Sequence, residues 1–412
     1  MIQIANVVVA DPISPWHGKR VNLTIEGERI IEVLNAETIL ASDVTLDGQG
    51  TIWVFPGLVD TMARWGHPFT DSAETLASGA QSAASGGFVR VLLSPHSYPF
   101  IRNAATVEAT LQSATGLPIM VDVAASASMD PDNWRMAPVG EMLRAGALGV
   151  AIGKQYISAH HLQSLVEYIR DWDVPLWVFA GAWSQDLPLI WEGPTSAKSG
   201  LTGALPDAEY HWAMQVRTLA HRTGVRIIFY NASDPAILDL QSDLFTVAIS
   251  PFHLRWDDEQ LLKWDSRFKF TPPLRPPDTV RTLHHRIAQI GMLFSDHQPC
   301  LFHQKVNDFV AADPGGIAHA TALPLLQQVI GSESMMEIVP MLFSHHPRQW
   351  VGWPTVTIQP GAPAELTFYD PTYEWLLTDA TNYSRSSNSP VWGSLLMGKT
   401  THILTPKKLL AC

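Results

Sequence analysis

The chain has 412 residues, 46% of them hydrophobic and only 16% charged, with a formal net charge of -12. This balance provides for a large buried core and excludes disorder. The acidic surplus excludes nucleic acid or an anionic membrane surface as a partner. Two cysteines, Cys300 and Cys412, cannot form a disulfide framework. With no long apolar run and no charged-then-apolar leader, the expected protein is soluble and cytoplasmic. Its length suits one large barrel plus a smaller satellite domain.

Residues 2–10 form a β-rich run ended by Asp11-Pro12, and Val21, Leu23 and Ile25 then alternate with Asn22 and Thr24. Glu26-Gly27-Glu28 turns the chain into a further apolar run at residues 30–34. Period-two alternation broken by turn residues predicts a hairpin or meander. Residues 52–59 read as one apolar strand running out into a polar loop. A small-residue helix is expected over residues 72–85, then a strand over 88–93. Further short apolar runs occupy 119–124, 148–152, 176–179, 226–230, 245–249 and 291–294, with helical stretches between many of them. Strands alternating with helices predict a parallel sheet, and about eight such units close a barrel. Residues 181–206, rich in Gly, Ser, Pro and Trp, exceed the usual loop length and are a lid or interface candidate. Residues 365–369 and 394–399 return to strand patterning, so both termini are expected to build one small β-domain.

Several motifs recur in a telling order. Pro56-Gly57-Leu58-Val59-Asp60 ends the first apolar strand, and Glu74-Thr75-Leu76-Ala77-Ser78-Gly79 and Ala83-Ala84-Ser85-Gly86-Gly87-Phe88 follow it. Later come Glu192-Gly193 with Gly200-Leu201-Thr202-Gly203, Pro272-Pro273-Leu274-Arg275 and Asp296-His297-Gln298-Pro299. Pro314-Gly315-Gly316 leads to Thr321-Ala322-Leu323-Pro324, and the tail carries Gly361-Ala362-Pro363-Ala364-Glu365 and Asn388-Ser389-Pro390-Val391-Trp392-Gly393. In this order and spacing the chain resembles dihydroorotase, of the amidohydrolase superfamily, essentially end to end. The resemblance implies an α/β fold, a (β/α)8 TIM barrel over residues 54–354, with a small β-sandwich domain from residues 1–53 and 355–412.

The resemblance also implies a zinc centre and a carboxylate clamp, and the residues at those positions differ. The paired histidines after the first strand are replaced by Met62 and Arg64, and the bridging position falls on Lys154. The later histidine positions hold Phe179 and Asn231, whereas the catalytic aspartate position is kept as Asp296, followed by His297. The clamp positions fall on Gly66 and His96, and the histidine closing the last motif is Cys300. Guanidinium offers no lone pair, so Arg64 cannot be a ligand. Lys154 could be carbamylated and bridge metals, but the alternative, a charged lysine in an ion pair, is preferred. An uncompensated carboxylate in a barrel mouth is costly, so Arg64, Lys154 or both are expected to approach Asp296.

The expected function is therefore that of a non-catalytic dihydroorotase-like protein linked to pyrimidine biosynthesis. It would be a homo-oligomer without metal, a structural or regulatory partner of a protein such as aspartate transcarbamoylase. The alternative is an active cyclic-amide hydrolase with a rearranged zinc site, water attacking the ring carbonyl with Asp296 as proton shuttle. A small-molecule sensor using the altered pocket is a third reading.

Overall fold

In the computed structural model, residues 1–38, 44–65, 73–97, 100–130, 134–153, 156–184, 186–306, 308–406 and 408–412 are described. The barrel strands are Leu58–Ala63, Phe88–Leu93, Met120–Val123 continued by Ala125–Ser126, Val150–Ile152, Leu176–Phe179, Ile227–Tyr230, Phe245–Ile249 and Met292–Leu293. All neighbouring pairs are parallel, as in the register of Leu176 with Ile227 and of Ile227 with Phe245. The central strands are apolar nearly along their length, Thr246 apart, because helices outside and side chains inside bury both faces. The barrel closes between its last and first strands by fixed polar contacts. The Arg64 backbone N–H donates to the His297 carbonyl at 3.1 Å, and the Ser295 backbone N–H to the Asp60 carboxylate at 2.7 Å.

Both ends of the chain share one sheet, as expected. Its order is Leu409–Ala411, Leu395–Leu404, Leu366–Leu376, Trp53–Pro56, Ile2–Val9, Arg20–Glu26 and Arg29–Asn35, with Leu46–Asp47 also paired to Ile2–Val9. Ile4, Val21 and Leu23 from one end and Leu366, Phe368 and Leu404 from the other share a core. Hydrogen bonding runs through all eight of these strands. Among the described residues no helix is long and apolar enough to cross a membrane.

The run at residues 52–59 is not one strand. Trp53–Pro56 pairs antiparallel with Leu366–Tyr369 in the terminal sheet, and Leu58–Ala63 begins the barrel. The chain changes sheets at Gly57, so the terminal sheet reaches residue 56 rather than 53. A side-chain carbon on Gly57 would lie 2.6 Å from Val89 Cγ2 and 3.0 Å from the Glu365 carbonyl carbon, which leaves room for hydrogen alone. The Gly57 N–H donates to Glu365 O at 2.7 Å. Its own carbonyl accepts from Ser344 Oγ at 2.9 Å and from Arg348 Nη2 at 3.0 Å. Arg348, fully buried, also meets the Glu365 carboxylate at 2.6 Å.

Two other regions differ from expectation. The helix expected from residue 72 runs as Leu76–Ser85, capped by the Thr75 and Ser78 side chains, and residue 72 lies outside the described residues. The passage at residues 181–206 is pinned rather than a free lid. Trp191 is buried, its indole N–H donates to Pro273 O at 3.0 Å, and the Arg275 guanidinium lies 3.8 Å above its ring. Arg275 is itself held by the buried Glu209 at 2.9 Å.

Candidate functional site

Near the C-terminal ends of three barrel strands lies a residue with left-handed backbone: Met62 at φ 72° inside the first, Asn231 at φ 63° directly after the sixth, and Asp296 at φ 58° shortly after the eighth. Asn and Asp tolerate this region and methionine does so poorly, and such strain costs about 1–3 kcal/mol and persists only where surroundings impose it. The backbone therefore turns side chains across the mouth after the first, sixth and eighth strands, even where Met62 gives the turn little local support.

Asp296 is only 4% exposed. The Asn231 amide donates to both of its oxygens at 3.3 Å and to Thr271 O at 2.8 Å. The Gln298 amide donates to Asp296 Oδ1, and Gln298 Oε1 accepts from Arg64 Nη1 at 3.3 Å. The described link from Arg64 to Asp296 thus runs through a glutamine. Arg64 Nη2 donates to the His96 carbonyl at 3.2 Å. Burial lowers the Arg64 pKa, against the opposing pull of Tyr230 and Asp296; the group stays protonated. His96 packs over Gly153, where an added carbon would lie 2.4 Å from its ring. Burial, then the Arg64 charge, drives the His96 pKa down to about 3. The imidazole is therefore neutral, and its Nε2 has no partner among the described residues.

Apolar rings fill the side of the mouth where the resemblance implies a histidine. Phe179 is fully buried and packs against Tyr230 at 5.6 Å between centroids. The Tyr230 hydroxyl donates to Ile152 O at 3.2 Å, and burial pushes its pKa upward. Gly66 and Lys154, and with Lys154 the expected second cation near Asp296, lie outside the described residues.

Among the described residues, the donors at the mouth do not fit a hydrolytic zinc ion. Zinc takes thiolate, imidazole and carboxylate, whereas Met62, Arg64, Phe179 and Asn231 present a thioether, a guanidinium, a phenyl ring and an amide, and Asp296 is the one carboxylate beside them. Asn231 Oδ1 is buried without a partner among the described residues, but it is a single neutral acceptor. Among the described residues no group of three or more His, Cys, Asp or Glu could hold a metal.

His297 leaves the mouth altogether. Its fully buried ring stacks on His319 at 3.8 Å and 10°. Its Nδ1 accepts from the backbone N–H of Ala318 at 3.1 Å and of His319 at 3.4 Å, so the proton sits on Nε2, 3.4 Å from Glu74. Glu74 also accepts from Ser78 Oγ, Ser384 Oγ and the Arg385 backbone N–H. Burial raises its pKa, but the bonds from His297, Ser384 and Ser78 prevail and leave it lowered. His319 Nε2 meets Asp60 at 3.1 Å, and Asp60 is also held by Ser295. Burial raises Asp60 to about 6 and holds His319 well below its ordinary value, aided by His297. Sequence reasoning missed Asp60, Glu74, His319 and Gln298. The available signal was an acid inside an otherwise apolar barrel strand, Asp60 within Leu58–Ala63.

No protein-family model matches the chain. It is 26% identical over 420 residues to a dihydroorotase of Aquifex aeolicus (strain VF5), covering 99% of this chain and 98% of that protein. It is 27% identical over 422 residues to a dihydroorotase of Anaeromyxobacter dehalogenans (strain 2CP-C), covering 98% and 96%. Among solved structures, L-hydantoinase (dihydropyrimidinase) from Arthrobacter aurescens superimposes with a TM-score of 0.80 at 17% identity, covering 100% of this chain and 96% of that one. Dihydropyrimidinase from Brevibacillus agri NCHU1002 gives 0.77 at 16% identity, covering 100% and 95%. These structural likenesses establish the fold, a barrel of parallel strands with a terminal β-domain.

Proposed function

Since the chain is dihydroorotase-like over nearly its whole length and carries the amidohydrolase barrel, we propose that it serves pyrimidine metabolism in the cytoplasm without catalysing ring hydrolysis. The observation that carries this reading is the mouth itself. Met62, Arg64, Phe179 and Asn231 stand at the strand ends, and Arg64, Gln298, Asn231 and Asp296 form one connected polar chain there. A hydrolase of this chemistry needs a cation that lowers the pKa of bound water and polarises the carbonyl. In this chain protein groups occupy Asp296 instead. The protein then acts as a homo-oligomeric structural or regulatory partner. The partner we propose, on the resemblance alone, is aspartate transcarbamoylase.

The test is metal analysis of the purified full chain, with assay of carbamoyl aspartate and dihydroorotate interconversion and co-purification with aspartate transcarbamoylase. The expected result is far less than one zinc per chain, no turnover above the uncatalysed rate, and a stable complex. Stoichiometric zinc with zinc-dependent turnover would overturn the reading in favour of a rearranged active site.

A further inference from the structure

Beside the mouth, and sharing with the implied site only Cys300, lies a cavity of about 700 Å³. Its walls come from residues 264–267, the short helix Phe302–Lys305 and residues 385–392. The rim is apolar and open to solvent, with Trp264 48%, Phe302 74% and Val306 63% exposed, and Trp392 lines the same space. Large exposed rings around a concavity of this size are characteristic of small-molecule sites.

The polar lining gives the ligand a sign. Arg267 is taken up by its neighbour Asp265, whose oxygens it reaches at 2.6–3.0 Å. Lys305 is 4% exposed and points its ammonium at the carbonyls of Asp313 at 2.9 Å and Gly315 at 2.8 Å, with no carboxylate paired to it among the described residues. Arg385 is exposed, and its guanidinium makes no hydrogen bond or ion pair among the described residues. In a chain of net charge -12 this cavity thus keeps one guanidinium, Arg385, without a counter-ion among the described residues.

We propose that this cavity binds a small amphipathic anion, its planar apolar body against Trp264, Phe302 and Trp392 and its single carboxylate or sulfonate on Arg385. Area burial rewards the body and a charge-assisted hydrogen bond fixes the anionic end. The site is placed to be felt at the mouth through Asn388, in its wall, which donates to Gln298 O at 2.9 Å, and at the buried histidine pair through the backbone N–H of Arg385, which donates to Glu74 at 3.2 Å. The inference does not depend on the mouth being inactive.

The test titrates the full chain with 8-anilinonaphthalene-1-sulfonate and displaces the dye with 1-naphthoate or with neutral 1-naphthalenemethanol. One saturable site is expected, with the neutral compound weaker than naphthoate by about tenfold or more. Arg385→Gln should weaken naphthoate by about tenfold while leaving the far-UV spectrum and melting temperature unchanged. Phe302→Ser should weaken both compounds, and Leu395→Ser, on the exposed terminal sheet, neither. Equal binding of the neutral analogue, insensitivity to Arg385→Gln, an equal effect of Leu395→Ser, or no saturable site would each overturn the proposal. So would a dimer that Phe302→Ser dissociates, since a second copy would then cover the cavity.

Discussion

Replacing Arg348 with methionine tests whether the barrel and the terminal sheet are one cooperative unit. The guanidinium makes four contacts: Glu365 Oε2 at 2.6 Å, Gly57 O and Pro354 O at 3.0 Å, and Ser344 Oγ at 3.3 Å. Methionine matches much of the volume, so little cavity term arises. What remains is a carboxylate left buried without its cation, a loss of about 3–5 kcal/mol for breaking one side of a buried pair. Removing both charges, as Arg348→Met with Glu365→Leu, should recover a large part of that loss, because an apolar pair in the same space is often neutral. The assay is urea unfolding followed by both tryptophan fluorescence and far-UV circular dichroism. The expected result is a lowered midpoint with an unchanged slope and coincident transitions. A loss below about 1 kcal/mol, the range of a solvent-screened surface pair, would refute the claim that this contact joins the two sheets. A double variant as weak as the sum of the singles would refute the desolvation argument.

Phe179→Ala should cost about 3–5 kcal/mol in the same assay, since the ring is fully buried against Tyr230; a loss of less than about 1 kcal/mol would show that the mouth is not packed. His96 gives a pH signature. Its folded pKa, near 3, lies below the ordinary value of 6.5, so the unfolded chain takes up the proton first and stability falls as pH drops below 6.5. His96→Asn should remove that loss, worth roughly 1–2 kcal/mol at pH 5 after allowance for partial exposure; parallel pH profiles for the two proteins would contradict it. Asp60 has the opposite sign. Raised to about 6 from 3.8, its contribution is complete below pH 3.8 and is lost as pH rises through 6. Asp60→Asn should therefore fall further behind the parent protein between pH 7 and pH 4.5, by about 1–2 kcal/mol. A gap that narrows on acidification would show that Asp60 stays ionised beside His319.

The sheet patterns were readable because both faces of a parallel barrel strand are buried. Runs such as Leu176–Phe179 and Phe245–Ile249 carry no polar residue that must face water apart from Thr246, itself buried. That Met62, Arg64, Phe179 and Asn231 carry no thiolate, imidazole or carboxylate was readable for a different reason, since ligand chemistry is a property of the residue type. The consequences were not. Residue types cannot show that Gln298 stands between Arg64 and Asp296, because that depends on how strands one and eight meet across the closure.

The sequence by itself determined the alternation of strands and helices and the shared terminal sheet, both of which follow from local periodicity. Tertiary structure decided where the chain crosses from one sheet to the other, because the space at Gly57 is set by Val89 and Glu365, residues remote in sequence. It also decided that His297 faces inward. Closing the barrel brings Asp60, Glu74 and His319 together, and a buried imidazole takes the side where its two nitrogens find partners.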